Sequence, residues 1–143
     1  MQEQEYPMFV SNRPVGSPLD FTVEINTPHE LELDMIVETW RQVEGQGLVG
    51  HFGVVESISV GNYYRALVRV VRIWPDCYLP PMPGQAVKVC SEKNVNWALR
   101  FDGMERKIAI GRMSSGRTAY ANLDFLSGIK GAHINIAGIS GVA

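Results

Sequence analysis

The residues closest to a recognisable chemical pattern are the last ones of the sequence, residues 131–143. Residues 134–137 form a short apolar run that predicts a buried strand, and Gly138 follows it directly. A buried strand, a glycine-containing loop and a helix N-terminus make up a P-loop, whose backbone N–H groups bind phosphate. With Gly138 as the first glycine of the pattern G-x-x-x-x-G-K-[ST], Ala143 stands where the second glycine belongs. We expect an unfinished P-loop here, cut from a larger ATPase at its nucleotide site.

The predicted nucleotide-binding residues of this loop are Gly138, Ser140, Gly141 and Ala143. They do not include the lysine that would neutralise the β- and γ-phosphates, which argues against nucleotide hydrolysis by this chain alone. We therefore expect no enzymatic activity and no cofactor for the chain itself. ATP and magnesium are expected for the intact parent ATPase.

Two arginines, Arg65 and Arg69, are candidates for contacts at the protein surface. They lie in a run whose other face carries Tyr64, Ala66, Val68 and Val70. This alternation predicts a strand with the arginines on its polar face. Such arginines can bind phosphate or a partner, but more often they belong to the solvated face of an antiparallel sheet.

Aromatic residues near these arginines keep a second function open. Tyr63, Tyr64 and Trp74 are close to Arg65 in the sequence, and small barrels bind single-stranded nucleic acid through aromatic platforms and a basic groove. The net charge of −2 argues against this function, because nucleic-acid-binding domains are usually basic. Tyr64 is also predicted on the apolar face of its strand.

The histidines and cysteines show no pattern typical of a metal site or a nucleophile. His29, His51 and His133 are scattered, and none lies at metal-ligand spacing from another histidine or a cysteine. Cys77 and Cys90 lack the basic neighbours that favour a reactive thiolate, and two cysteines do not make a disulfide framework. We expect two reduced thiols, no metal site and no catalytic residues.

Composition is that of an ordinary soluble globular protein. The chain has 143 residues, of which 45% are hydrophobic and 20% are charged, as in a typical single domain. No apolar run approaches the roughly 20 residues that a membrane helix needs. The N-terminus is acidic and polar, unlike a secretory signal. We expect a cytoplasmic protein that does not enter a membrane.

Charge is unevenly distributed along the chain. Residues 1–60 contain ten acidic and two basic residues, whereas residues 61–143 contain five acidic and eleven basic ones. Acidic strands can lie beside basic strands within one barrel, since cross-strand charge pairs are common in sheets. Alternatively, an acidic face of one copy meets a basic face of the next copy in a ring. We favour the first interpretation.

The elements that position these residues are mainly short strands. Alternating or apolar runs predict strands over residues 8–10, 18–25, 35–43, 48–60, 64–71, 86–90, 107–111 and 118–123. Gly50 and Gly53 interrupt the long run 48–60, where glycines indicate bulges or bends. Ser91 is a predicted N-cap for one short helix, with Glu92 in its first turn. Five prolines and glycines at 75–84 predict a rigid corner, although a proline-rich stretch can also be a docking ligand.

Together these elements predict an all-β fold. We expect a small closed β-barrel of about six to seven strands with one short helix, followed by the first strand of a P-loop ATPase core. The predicted domains are residues 1–127, the N-terminal barrel, and residues 128–143, a linker with the first strand and the partial P-loop. Lys107–Gly111 is predicted with Ile108 and Ile110 inward, and Thr118–Leu123 as the last barrel strand.

Four segments resemble one protein family in their order and spacing. Residues 18–23, PLDFTV, resemble an early "PLEF"-type strand, and residues 48–58 are similar to a segment that reads "VLGRVTEI". Residues 80–87, followed by 91–99, are close to a "PP-x-PG-x-x-V" corner with its strand and short helix. Residues 110–134 are similar to the run "IG … V-Y-L-N-L-D … R-H" that leads to a Walker A motif. Ala143 and Ala132 depart from the pattern, which has glycine and arginine there.

The family with these motifs is that of the HerA-like DNA-translocating ATPases of the FtsK/HerA superfamily. Its N-terminal domain, the HAS-barrel, is a β-barrel that does no chemistry. The resemblance implies a homo-hexameric ring with the barrels as a collar. It also implies a partner nuclease in DNA-end processing and DNA contacts through the parent motor domain. The expected function is thus ring assembly and docking by a non-catalytic barrel of a DNA translocase or helicase, with an OB-like single-strand-binding module as the alternative.

Overall fold

The computed structural model describes residues 8–27, 30–113, 115–128 and 137. The chain divides into two compact units, Met1–Arg100 and Phe101–Ala143, and each is described by itself. The predicted domain limits of 1–127 and 128–143 stay a prediction, because most of the second segment lies outside the described residues.

The first unit is built on six strands that close into a barrel. Neighbouring strands around the barrel are β1-β2-β5-β4-β3-β6, and every pairing is antiparallel. The strands are β1 (Met8–Val10), β2 (Asp20–Ile25), β3 (Ile36–Val43), β4 (Gly47–Val60), β5 (Tyr64–Trp74) and β6 (Ala86–Val89). This confirms the predicted all-β fold with a small closed barrel.

The barrel interior is filled with apolar side chains contributed by all six strands. Its buried members are Val10, Phe21, Val23, Ile25, Leu31, Val37, Val55, Ala66, Val68 and Val87. Strand β5 contributes Ala66 and Val68 at 0% exposure, and Tyr64 and Val70 pack against the same cluster. The predicted apolar face of β5 is therefore confirmed. Because alternate residues of a strand point to opposite faces, Arg65 and Arg69 lie on the outer surface.

Strand β4 is irregular at the position where the sequence predicts a bulge. Its pairing with β5 shifts between Phe52 and Gly53, and again between Val55 and Ser57. A Cβ atom on Gly53 would clash with the side chain of Val68 and would lie 2.8 Å from the Arg69 carbonyl oxygen. Glycine is therefore required where the two strands approach this closely.

A short helix, α1 (Glu92–Ala98), follows β6. The Ser91 hydroxyl accepts a hydrogen bond from the Asn94 backbone N–H at 3.3 Å, which satisfies one of the free donors of the first turn. Val95 and Ala98 are its buried residues. The predicted helix and its N-cap are confirmed.

The second unit contains a hairpin of its own. It consists of a 3₁₀ turn (Phe101–Gly103), strands β7 (Lys107–Arg112) and β8 (Thr118–Asn122), and the single-turn helix α2 (Leu123–Leu126). Strands β7 and β8 pair with each other in a separate two-stranded sheet. The prediction that Thr118–Leu123 is a barrel strand is therefore wrong. The barrel is already closed by pairing of β1 with β6 and has no free edge to accept another strand.

The predicted inward orientation of β7 is also wrong. Ile108 is 45% exposed and Ile110 is 64% exposed, and all six residues of β7 are exposed. Within this unit the Phe101 and Tyr120 rings meet edge to face at 5.4 Å, and the Leu123 N–H donates to the Arg106 carbonyl oxygen at 2.8 Å. Alternation alone shows that a strand has two faces, but not which sheet it joins.

Candidate docking surface at the end of the barrel

The first predicted surface residue, Arg65, lies on the outer face of the barrel. It stands opposite Glu24 of β2, and its Nη1 donates to the Arg13 carbonyl oxygen at 3.0 Å. The guanidinium also lies 5.8 Å from the centre of the Tyr63 ring. Arg65 is therefore engaged by neighbours of its own chain.

The second predicted surface residue, Arg69, is held by an ion pair. Its Nη2 donates to both carboxylate oxygens of Glu56, at 2.9 and 3.0 Å, and it stands opposite Asp20 of β2. The hydrogen bond and the charge of Glu56 raise the pKa of Arg69. These pairs place acidic strands beside basic ones within one barrel, as the favoured interpretation of the charge distribution predicts.

A different surface forms where residues 75–85, which we call the proline loop, connect β5 to β6. The ring of Pro81 is fully buried and reaches toward Gly16, so the loop is anchored in the protein. Apolar side chains in the loop or directly before it are instead exposed: Trp74 at the end of β5 by 52%, Tyr78 by 73% and Met82 by 52%. The predicted corner is thus an anchored loop that presents large apolar side chains to solvent.

Two side chains from the strands hold this loop by its backbone. Arg41 of β3 donates from Nη2 to the Pro80 carbonyl oxygen at 3.0 Å, and His51 of β4 contacts the Leu79 carbonyl oxygen through Nε2 at 2.6 Å. Nearby, Gln85 donates to the Thr39 hydroxyl at 3.0 Å, and that hydroxyl donates to the Ala86 carbonyl oxygen at 2.9 Å. The loop is therefore fixed along most of its second half.

His51 sits in an unusual environment for an ionisable group. It is 0% exposed, and its Nδ1 atom has no hydrogen-bond partner among the described residues. Burial lowers the pKa of the imidazole, and the nearby positive charge of Arg41 lowers it further, while the bond to Leu79 acts in the opposite direction. His51 is therefore a neutral side chain in the folded protein at neutral pH.

An open groove lies beside the far end of the loop. It has a volume of about 510 Å³ and is lined by Phe9, Val10, Ser11, Asn12, Glu24, Pro83 and Gly84. Phe9 is 40% exposed at this groove, and Ser11 donates to the Glu24 carboxylate at 3.2 Å. The groove extends the surface that the proline loop presents.

A chain of aromatic rings attaches α1 to the outside of the barrel. Phe52 of β4 meets Trp40 at 5.4 Å and Trp97 at 4.9 Å, and Trp97 in turn meets Trp74 at 5.8 Å. The guanidinium of Arg72 stacks 3.7 Å from the centre of the Trp97 ring and donates to the Trp97 carbonyl oxygen at 2.6 Å. All three tryptophans of the chain thus belong to one cluster, whose exposed member is Trp74.

The second anchor of α1 is a buried carboxylate. Glu38 of β3 is 2% exposed and accepts hydrogen bonds from Asn94 at 2.6 Å and from Cys90 at 3.7 Å, while Lys88 pairs with it at 3.2 Å. Burial and the negative charge of Glu38 raise the pKa of the Cys90 thiol. Cys90 is therefore an unreactive thiol, and both cysteines are free.

The predicted nucleotide-binding residues Gly138, Ser140, Gly141 and Ala143 lie outside the described residues, as do His29 and His133. Within the described part of the chain, no three histidine, cysteine, aspartate or glutamate side chains are grouped to hold a metal ion. No helix in that part is long and apolar enough to cross a bilayer.

The predicted site residues Arg65 and Arg69 are thus not part of the proline-loop surface. Arg65 and Arg69 share one polar outer face, whereas Tyr78 and Met82 of the proline loop and the adjacent Trp74 are exposed apolar side chains. Sequence reasoning missed the bonds of Arg41 and His51 to that loop; the signal was an arginine and a histidine on inward positions of neighbouring strands.

The sequence matches no protein-family model, and no curated protein is significantly similar to it.

Proposed function

We propose that the chain is a non-catalytic assembly and docking barrel, of the kind found at the N-terminus of HerA-like DNA-translocating ATPases. On this proposal the barrel helps a homo-hexameric ring to assemble and receives a partner nuclease in DNA-end processing. DNA, ATP and magnesium belong to the motor part of the intact protein. The residues predicted to reach nucleotide lie outside the described part, so no step of ATP hydrolysis is assigned to them.

The observation that carries the proposal is the anchored proline loop. Pro81 is buried and two carbonyl oxygens are held, while Trp74, Tyr78 and Met82 remain exposed. Exposed aromatic and methionine side chains are enriched at the centres of protein interfaces. A loop that is already fixed loses little conformational entropy on binding, which favours association.

The barrel interior supports a role for the outer surface. Valine, phenylalanine and isoleucine side chains from all six strands fill it, as in small barrels that hold no ligand. Binding energy must then come from groups on the outside. The proline loop and the adjoining groove offer exposed apolar side chains, Tyr78, Met82 and Phe9, on that outside.

The test is the oligomeric state of the intact protein. Size-exclusion chromatography with light scattering is expected to show a hexamer, and a strictly monomeric protein with and without ATP would refute the proposal. The double variant Tyr78→Ser, Met82→Ser removes exposed apolar surface without touching the barrel core. We expect this variant to raise the protein concentration needed for half-maximal assembly or nuclease capture at least tenfold.

Val60→Ser is the matched control for this variant. Val60 is 70% exposed at the end of β4, so its replacement removes an exposed apolar side chain from another place. We expect Val60→Ser to assemble as the unmodified protein does. Equal weakening by both variants would mean that the proline loop has no special role.

The nucleic-acid-binding alternative receives less support from the contacts. Arg65 already binds a carbonyl oxygen and Arg69 a carboxylate, so a phosphate would have to displace partners of the same chain. Tyr64 packs against the barrel core rather than presenting a face to a base. Tyr63 and Trp74 are exposed aromatic residues that this alternative can still use.

A further inference from the structure

The proline loop contacts one buried ionisable side chain, His51. A carbonyl oxygen only accepts hydrogen bonds, so the 2.6 Å contact between His51 and Leu79 requires a proton on Nε2. A neutral imidazole carries one proton, which leaves Nδ1 as a bare acceptor. The buried Nδ1 has no donor partner among the described residues, in keeping with this tautomer.

Protonation of His51 would change this arrangement in two ways. Nδ1 would become a donor in a buried position with no acceptor within the described part of the chain. A second positive charge would also appear near Arg41, which holds the adjacent carbonyl of the same loop. Unsatisfied buried donors and unpaired buried charges are both costly.

Among the described groups around His51, the Leu79 carbonyl oxygen favours the imidazolium, because Nε2 still donates to it, but this effect is smaller than that of burial. On β3, Thr39 stands opposite it and Arg41 lies on the same face two residues further along; on β5, Ile73 stands opposite. From the proline loop, the contact is the Leu79 carbonyl oxygen. Arg41 is the charged group among these, and it repels the imidazolium.

We propose that the proline loop is an acid-released strap: it is closed over the barrel end while His51 is neutral and opens when His51 takes up a proton. Opening breaks the bond to Leu79, draws Arg41 away from Pro80 and frees the buried ring of Pro81. Its consequence for docking rests on the proposed function, since the strap carries the exposed side chains that bind the partner. The release itself does not depend on that function.

The direction of the pH effect follows from the environment of His51. The pKa of the imidazole in the folded protein lies below its ordinary value of 6.5. The closed strap is therefore at full stability above pH 6.5 and loses stability as the pH falls from there through the lower pKa of the folded state. Opening the strap removes the burial, so the imidazole in the open state binds its proton more readily.

The test is an NMR pH titration of the intact protein from pH 8 to pH 5. Long-range ¹H–¹⁵N spectra are expected to show His51 as the Nε2–H tautomer, titrating with a midpoint below 6.5. The carbonyl ¹³C signals of Leu79 and Pro80 should shift with that same midpoint. Carbonyl signals that stay constant while His51 titrates would overturn the proposal, as would the Nδ1–H tautomer.

A variant separates strap release from general acid effects. His51→Gln keeps a side-chain N–H for the Leu79 carbonyl but cannot take up a proton, so its carbonyl signals should no longer respond between pH 8 and pH 5. A response equal to that of the unmodified protein would refute the role of His51. If this variant folds poorly, the titration of the unmodified protein still tests the proposal. A monomeric intact protein would remove the proposed function and leave the titration result intact.

Discussion

The two halves of strand β5 carry the same residue type in opposite environments. In the first half, Arg69 pairs with Glu56 at the surface, with its side chain 62% exposed. In the second half, Arg72 stacks on Trp97 and binds the carbonyl oxygen of the same residue. One arginine is solvent-exposed and paired with a carboxylate, and the other lies against an aromatic ring of the helix.

The difference shows that position along a barrel strand decides what an arginine does. Charge pairs in water are weakened by the high dielectric constant and by salt, so they add little to stability. A guanidinium against a tryptophan face gains from the ring quadrupole and from packing of its apolar stem. The aromatic half of β5 should therefore contribute most of the stability of the outer surface.

The largest expected effect is that of replacing Phe52, which joins Trp40 and Trp97 and is 2% exposed. Phe52→Ala should lower the free energy of unfolding by about 3–5 kcal/mol, because it removes buried apolar surface and leaves a cavity. Urea denaturation followed by circular dichroism measures this change. Phe52→Leu fills most of the space and should cost far less; an equal loss in both variants would show that volume is not the cause.

An intermediate effect is expected at Arg72. Arg72→Ala should lower the free energy of unfolding by about 2 kcal/mol, through loss of the contact with the Trp97 ring and of one hydrogen bond to a carbonyl. The change should be insensitive to salt, because the guanidinium is stacked on a ring rather than paired with an exposed carboxylate. Urea denaturation at low and high salt tests this. A loss that disappears in high salt would remove the distinction between the two halves of β5.

The smallest effect is expected at Arg69. Arg69→Ala should leave the urea midpoint nearly unchanged, since the ion pair with Glu56 is solvated.

The same Arg69→Ala variant also distinguishes the docking function from the nucleic-acid-binding alternative. Fluorescence anisotropy with a labelled single strand at low salt should show no binding that depends on Arg69, whereas salt-sensitive binding lost in Arg69→Ala would favour the nucleic-acid-binding alternative.

Much of the barrel is predictable because local sequence patterns indicate its strands and its helix. The alternation of β5 identifies Ala66 and Val68 as core residues, and Gly53 marks a bulge because only glycine fits between the two strands. The helix N-cap at Ser91 is also a local signal. The alternation and the N-cap depend on neighbours in sequence, which is why sequence alone identifies them; Gly53 is recognised as a glycine inside a strand run, although the contact that requires it is with β5.

Features that depend on distant pairing are not predictable in this way. Strands β7 and β8 have the alternation of barrel strands, but their place outside the barrel is decided by the closure of β1 on β6. The bonds of Arg41 and His51 to the proline loop join residues that are 39 and 28 positions apart. The resemblance to HerA-like barrels and the P-loop prediction both stay predictions.

The seam between β1 and β6 has a consequence for the motions of the barrel. Among the described residues, Met8 and Phe9 of β1 align with β6, and further backbone bonds of the seam join Val10 to Gly84 and Gln85, at the end of the proline loop. The seam joins the first described strand to the last strand of the barrel, which are far apart in sequence. Closing it therefore has the largest entropic cost of loop closure, and we expect it to form late in folding. We expect the barrel to open most readily here, because β1 is short. Amide hydrogen exchange should accordingly be fastest along β1 and slowest in the long β4–β5 pair, with the strap and the seam exchanging together.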